Sequence, residues 1–216
     1  MSIAITLDFS DPAKIPALLA TGRGANDPEL RKVMGAAIRK ALMLHLARLD
    51  AERPNALGGK RTHFYGEAAR SVHQPELDGA DGVKVAITHP GIAQRYSGGT
   101  LSPVKKQWLA IPARTEAYGH SPIAHHDLHF VLFRKNLAAL VQNEQTRITI
   151  GRRRKDGTRN LKAGETTGGG IFYWLKKEVT QQEDKTVLPP EADLETAALT
   201  EGEAWTAQLI RRAMSL

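Results

Sequence analysis

The chain has 216 residues, 41% of them apolar and 25% charged, which is enough for one well-buried core without covalent staples. It has no cysteine, so disulfides, thiolate nucleophiles and every cysteine-ligated metal or cluster site are excluded. The 30 Lys and Arg outnumber the 23 Asp and Glu to give a formal charge of +7, and this bears on partners rather than on fold.

Residues Met1 to Phe9 lack the basic start and long apolar stretch of a secretory signal, so synthesis in the cytoplasm without export is expected. No run approaches the length of a bilayer span, so no membrane partner is expected. Ile3, Ile5, Leu7 and Phe9 alternate with smaller or polar residues, which predicts a half-buried strand ended by Asp11-Pro12. Ile15 to Leu19 suits a brief helical turn.

The clearest element follows. Asp27 can accept amide hydrogen bonds, Pro28 fits the first turn, and Glu29 favours the positive helix end. Leu30, Val33, Met34, Ala37, Ile38, Ala41, Leu42, His45 and Leu49 then recur at three and four residues. This predicts a helix through Glu52, about 37 Å long, stopped by Pro54. Arg31, Lys32, Arg39, Lys40 and Arg48 are read as its outer face. Gly35 is an internal weakness unless a close neighbour needs the missing side chain.

A short helix is expected near Thr62 to Val72, then a turn over Leu77 to Gly82. Val83, Val85 and Ile87 form one face of a strand, with Gln107 to Ile111 as its expected antiparallel partner. Gly91 to Tyr96 reads as a connection between them. Further on, Leu128 to Phe133 suits a strand or the start of a helix through Leu140, and Arg147 to Ile150 looks extended. Arg152 to Gly157 reads as an exposed basic turn, and Thr166 to Gly170 as flexible sequence before the aromatic core strand Ile171 to Leu175. Asp193 to Ala213 predicts a terminal helix with Leu194, Ala197, Ala198, Ala204, Trp205, Leu209 and Ile210 as its apolar positions. The elements describe a single α+β domain over 1–216. A long amphipathic helix packs on an antiparallel sheet, with a loop-rich excursion within 113–170 and a C-terminal helix.

Three sets of residues could carry chemistry. His120, His125, Asp127 and His129 offer metal-ligand types for a hydrolase, but the run lacks any ordered signature such as two histidines four apart with an intervening glutamate. Surface or interface histidines are the simpler reading, so no metal site and no catalytic residue is assigned. Ser97-Gly98-Gly99-Thr100 and Thr166 to Gly170 lack the Gly-Lys-Ser/Thr ending that holds phosphate, and turn glycines explain them. Arg152, Arg153, Arg154 and Lys155, with Arg147, Arg159 and Lys162 nearby, form a basic patch that could track phosphates in an accessory nucleic-acid-binding protein. A solvated loop accounts for the same charges.

Three blocks together resemble the bacteriophage virion-morphogenesis proteins of the neck, tail-completion and minor-tail group. They are the helix from Asp27 to Glu52 followed by Pro54-Asn55 and Arg61 to Tyr65; Ile92 through Ile111, closed by Pro112; and Phe172 to Gln181, running on to Leu188-Pro189. They lie between residues 27 and 189, in the order expected of that family, and residues 113–170 do not match. The resemblance implies a small α+β subunit, without enzymatic activity or cofactor. It would sit in a virion as a neck, tail-completion or tail-terminator piece assembled in the host cytoplasm. The implied partners are its own copies in a ring, six on this resemblance, other neck, tail-tube or connector proteins, and packaged DNA through non-specific contact. Tyr96, Gly98, Gly99, Lys105 and Trp108 are then candidate subunit contacts, against a tight turn for the two glycines and a core position for Trp108.

Overall fold

The computed structural model describes residues 2–8, 27–53, 55, 57, 58, 62–79, 82–153 and 159–215. The expected helical turn over Ile15 to Leu19 lies outside them. The fold is mixed α+β, with a long N-terminal helix packed on an antiparallel sheet and against a C-terminal helix. The chain divides into two compact units, the first made of residues 1–53, 63–99 and 181–216, the second of 54–62 and 100–180. The second unit thus extends on both sides of the 113–170 interval where the sequence pattern breaks.

In the first unit, α1 (Pro28–Glu52) starts as its sequence dictates: Asp27 Oδ1 accepts from the Glu29 amide at 2.8 Å and the Leu30 amide at 3.5 Å. Its stripe of Leu30, Met34, Ile38, Leu42, Leu46 and Leu49 is buried. Opposite lies a three-stranded sheet in the order β1 (Ile3–Asp8), β3 (Gly82–Ile87), β2 (Glu76–Asp78). The register sets Ile3 against Ile87, Ile5 against Val85 and Leu7 against Val83, so apolar residues stand directly opposite one another across the first pair. Helix α2 (Phe64–Arg70) adds Tyr65, Ala68 and Ala69 to the core.

Helix α3 occupies Pro90–Ser97, where a plain connection was expected. Gly91 obscured it, although Pro90 suits a first turn and Ile92, Ala93 and Tyr96 keep helical spacing. Ile92 and Ala93 are buried. Part of the expected turn over Leu77 to Gly82 is likewise β2.

Two further readings need correction. Arg31 is not on the outer face of α1: it is only 4% exposed, and its Nη1 donates to the carbonyls of Gly79 at 3.1 Å and Gly82 at 3.2 Å. A guanidinium can be buried when backbone acceptors are aimed at it. Arg39 also turns inward enough to donate from Nε to the Val72 carbonyl at 3.3 Å. The C-terminal helix, α4 (Glu191–Met214), buries Leu194, Ala198, Gly202 and Thr206, four residues apart. Small residues let it approach α1: a Cβ on Gly202 would lie 3.2 Å from Met34 Cγ. Thr206 is accommodated by donating to the Gly202 carbonyl at 2.8 Å. Hydrophobicity alone selects Ala204 and Ile210, both of which are exposed.

The second unit is an antiparallel sheet in the order β5 (Leu109–Pro112), β8 (Arg159–Lys176), β7 (Leu137–Arg153), β6 (Leu128–Arg134). The expected pairing of residues 83–87 with 107–111 is therefore wrong. Alternation identifies strands but not their partners, and β5 pairs with β8, Ile111 opposite Trp174. Leu128 to Leu140 is strand and turn, not helix. Tyr173, Phe172 and Ala117 form a small core, with Leu128 and Leu140 packed against it. Two short strands, β4 (Gly99–Leu101) and β9 (Val179–Gln181), pair with each other.

Thr166 to Gly170, expected to be flexible, is part of β8. Its last two glycines have a structural task. Gly169 and Gly170 take φ values of 80° and 81°, which other residues rarely adopt, beside a register shift where Val141 meets Ile171 and Leu140 meets Tyr173. Beyond this point, from Glu144 opposite Gly168 to Arg153 opposite Arg159, β7 and β8 pair only with each other among the described strands.

Candidate assembly surface

The most unusual surface of the second unit is β6. It lies at the edge of its sheet, hydrogen-bonded on one side to β7 through pairs from Leu128–Gln142 to Arg134–Leu137. Four consecutive large apolar residues on it are exposed: Phe130 by 54%, Val131 by 37%, Leu132 by 58% and Phe133 by 53%. Successive strand residues point to opposite faces, so β6 offers apolar side chains on both faces and, among the described strands, a backbone edge paired on one side alone. Two aromatic contacts anchor it inward. Phe130 lies 6.2 Å from the Trp108 ring and Phe133 lies 5.8 Å from Trp174, measured between centroids.

The sequence marked this run as an apolar strand but not as a surface. A continuous apolar run predicts a strand buried on both faces. Here no layer among the described residues covers the exposed run on β6, and nothing in the run itself reports that.

The contact candidates named from the sequence divide between the two units. In the first, Tyr96 packs against the core and the Lys185 ammonium sits 4.2 Å above its ring. Gly98 closes α3 with φ of 66°, where an added Cβ would lie 2.7 Å from the Glu183 amide nitrogen, and Gly99 begins β4. In the second, Lys105 is exposed and Trp108 is half-buried, with the Lys177 ammonium 4.2 Å above its ring. Lys177 also donates to the Gln107 carbonyl at 3.0 Å, which fixes the backbone beside the indole. Tyr96 and Gly98 thus have intramolecular roles, whereas Trp108 borders β6 through Phe130.

The histidine run is spread out. His120 and His125 meet ring to ring at 6.1 Å, and His125 also packs on Phe172 and Tyr173. His129 stands on β6, its Nε2 3.3 Å from Asn143 Nδ2. Among the described residues no group of three or more His, Cys, Asp or Glu is placed to hold a metal ion. Of the basic patch, Arg152 and Arg153 belong to β7, while Arg154 and Lys155 lie outside the described residues. Arg147 is also on β7, and Arg159 and Lys162 are on β8. Among the described residues no helix is long and apolar enough to cross a membrane.

Comparison with protein-family models, with curated proteins and with solved structures finds no match.

Proposed function

We propose that this chain is a structural subunit of a tailed-phage particle, of the neck, tail-completion or tail-terminator kind, whose copies join in a homo-oligomeric ring. The observation that carries the reading is the seven-residue edge strand β6 with its four exposed apolar residues. Natural sheets blunt such edges with charge, proline or a covering element, because an open apolar edge recruits another chain. Phe130 to Phe133 contains neither charge nor proline. A second copy is the occupant the reading assigns, since a ring repeats one such heterologous contact around its axis. The α+β architecture and the resemblance of the three sequence blocks support the particle assignment.

The test is the mass of the purified full-length chain, by light scattering at micromolar concentration, beside a Phe130→Lys/Leu132→Lys double variant. A discrete multi-copy species that falls to monomer in the variant, with unchanged circular dichroism, is expected. A wild-type chain that stays monomeric at high concentration would remove the assembly reading. Negative-stain imaging of the wild-type species tests ring closure directly, and open filaments or irregular clusters would count against it.

A further inference from the structure

We propose that the outer, two-stranded part of β7 and β8 is an arm that binds double-stranded nucleic acid through the phosphate backbone. Residues 147–162 contain seven Lys or Arg and one acid, Asp156, so six of the chain's seven net positive charges fall in sixteen positions. Beyond Arg147 the described part of this arm carries Arg152, Arg153, Arg159 and Lys162 with no carboxylate among them. Of the remaining acids of the arm, Glu144 stands at its base and Glu165 at the level of Arg147, so the uncompensated charge lies beyond them.

The backbone register adds an independent reason. Arg153 is paired directly with Arg159, an arrangement of like charges that disfavours the strand pairing carrying it. Apart from Ile150 opposite Leu161 and Ile148 opposite Ala163, few paired positions are apolar on both strands. An isolated two-stranded ribbon is marginal in water, and this one concentrates repulsion at its far end. A polyanion bound along the ribbon offsets the like charge of that pair.

The dimensions suit a duplex. A two-stranded ribbon fits the major groove, which is about 12 Å wide. Asn143 to Arg153, at ~3.3 Å per residue, extends about 36 Å, close to one duplex turn. Thr146, Thr149, Thr166 and Thr167 add hydroxyl groups of the kind that bond phosphate oxygens. The inference stands on the arm alone and does not depend on ring assembly.

Fluorescence anisotropy of a 30-base-pair duplex of arbitrary sequence tests it, with the full-length chain titrated over 50 to 200 mM salt. Wild type is expected to bind with a steep salt dependence. An Arg152→Gln/Arg153→Gln/Arg159→Gln/Lys162→Gln variant should bind roughly ten-fold or more weakly and with a shallower slope, because each phosphate contact contributes about 0.9 to the slope. Replacement of the three arginines by lysine should retain most of the binding. Removing two exposed charges from α1 instead, by Lys32→Gln/Lys40→Gln, should change it less than two-fold.

The same samples are weighed by light scattering, so that a loss of binding caused by altered assembly is recognised. Absence of binding at 50 mM salt overturns the proposal, as does a four-fold variant that binds like wild type. Competition by polyglutamate as effective as by the unlabelled duplex, at equal charge, would replace nucleic acid by an acidic protein and also overturn it.

Discussion

Arg53 Nη1 donates to Asp184 Oδ2 at 2.7 Å, joining the residue that ends α1 to the turn before α4, 131 positions later. The same nitrogen donates to the Tyr65 hydroxyl at 2.8 Å, which also accepts from Arg95 Nη1 at 2.9 Å. Arg53 Nη2 reaches the Thr186 hydroxyl, which itself donates to Asp184 Oδ1 at 2.5 Å. One guanidinium thus ties together α1, α2 and the approach to α4. Arg53→Met keeps the apolar stem and should cost about 1–3 kcal/mol in denaturant unfolding, the pair being only partly shielded from solvent. Arg53→Lys should recover only part, because an ammonium cannot fork between these acceptors. The Thr186 hydroxyl, and then Arg53, hold the Asp184 carboxyl below its ordinary range, against burial. Its contribution is therefore complete above the unfolded value of about 3.9 and lost as pH falls through the lower folded value. Equal stability of Arg53→Met and wild type at neutral pH would refute this role.

Gly35→Ala is expected to destabilise, although alanine is the better helix former by about 1 kcal/mol. A Cβ at this position would lie 2.6 Å from both Pro75 Cβ and Val83 Cγ2. Neither the proline ring nor a β-branched valine on the central strand can move aside cheaply. Overpacking of this kind costs about 1–3 kcal/mol, so the net loss should be up to about 2 kcal/mol. A Tm above that of wild type would show that α1 can retreat from β3.

These two cases show why part of the fold was legible and part was not. The caps and stripe of α1 are local signals, each within a few residues of the next, and the structure follows them from Asp27 to Glu52. The doubt over Gly35 could be stated from the sequence, but its resolution required Pro75 and Val83, which are distant in the chain. Arg31 was misplaced for the same reason, because the carbonyls that bury it belong to Gly79 and Gly82. Pairing of β5 with β8 and exposure of β6 depend on partners and covering layers, neither of which is written into the strand itself. The basic residues on β7 and β8 were visible at once, but the long two-stranded pairing that carries them was not.

Tyr173 connects the sheet of the second unit to the segment that covers it. Its hydroxyl lies 3.2 Å from the Ala117 carbonyl and 3.0 Å from that of His120, donating its proton between them. Burial raises its pKa, consistent with a phenol kept neutral as a donor. Tyr173→Phe should preserve the ring packing with Ala117 and Phe172 yet remove the hydroxyl donor from the His120 carbonyl, while the Ala117 carbonyl keeps the His120 amide at 3.3 Å, costing about 1 kcal/mol. Amide exchange should quicken over residues 113–125 with little change in α1. Unaltered exchange there would mean that packing alone retains the segment.

His45 supplies a pH test. Its Nε2 lies 3.1 Å from the Thr186 carbonyl, and Arg48 Nη2 lies 3.1 Å from its Nδ1. The arginine can only donate, so Nδ1 accepts and Nε2 carries the proton, which is the neutral ring. Burial is the main cause that lowers its pKa. The bond to Thr186 opposes this, while the nearby charges of Arg48 and Arg53 add to it. A proton on Nδ1 would sever the Arg48 bond and place two cations together. With the folded value depressed, stability is complete above the unfolded value of about 6.5 and is lost as pH falls toward and through the folded one. His45→Gln keeps an amide donor for the Thr186 carbonyl without titrating. The fall in Tm between pH 7.5 and 5.5 should therefore be smaller in the variant than in wild type, and comparing the two removes the background of the other seven histidines. A variant that loses as much stability as wild type over this interval would show that His45 is protonated without cost in the folded chain.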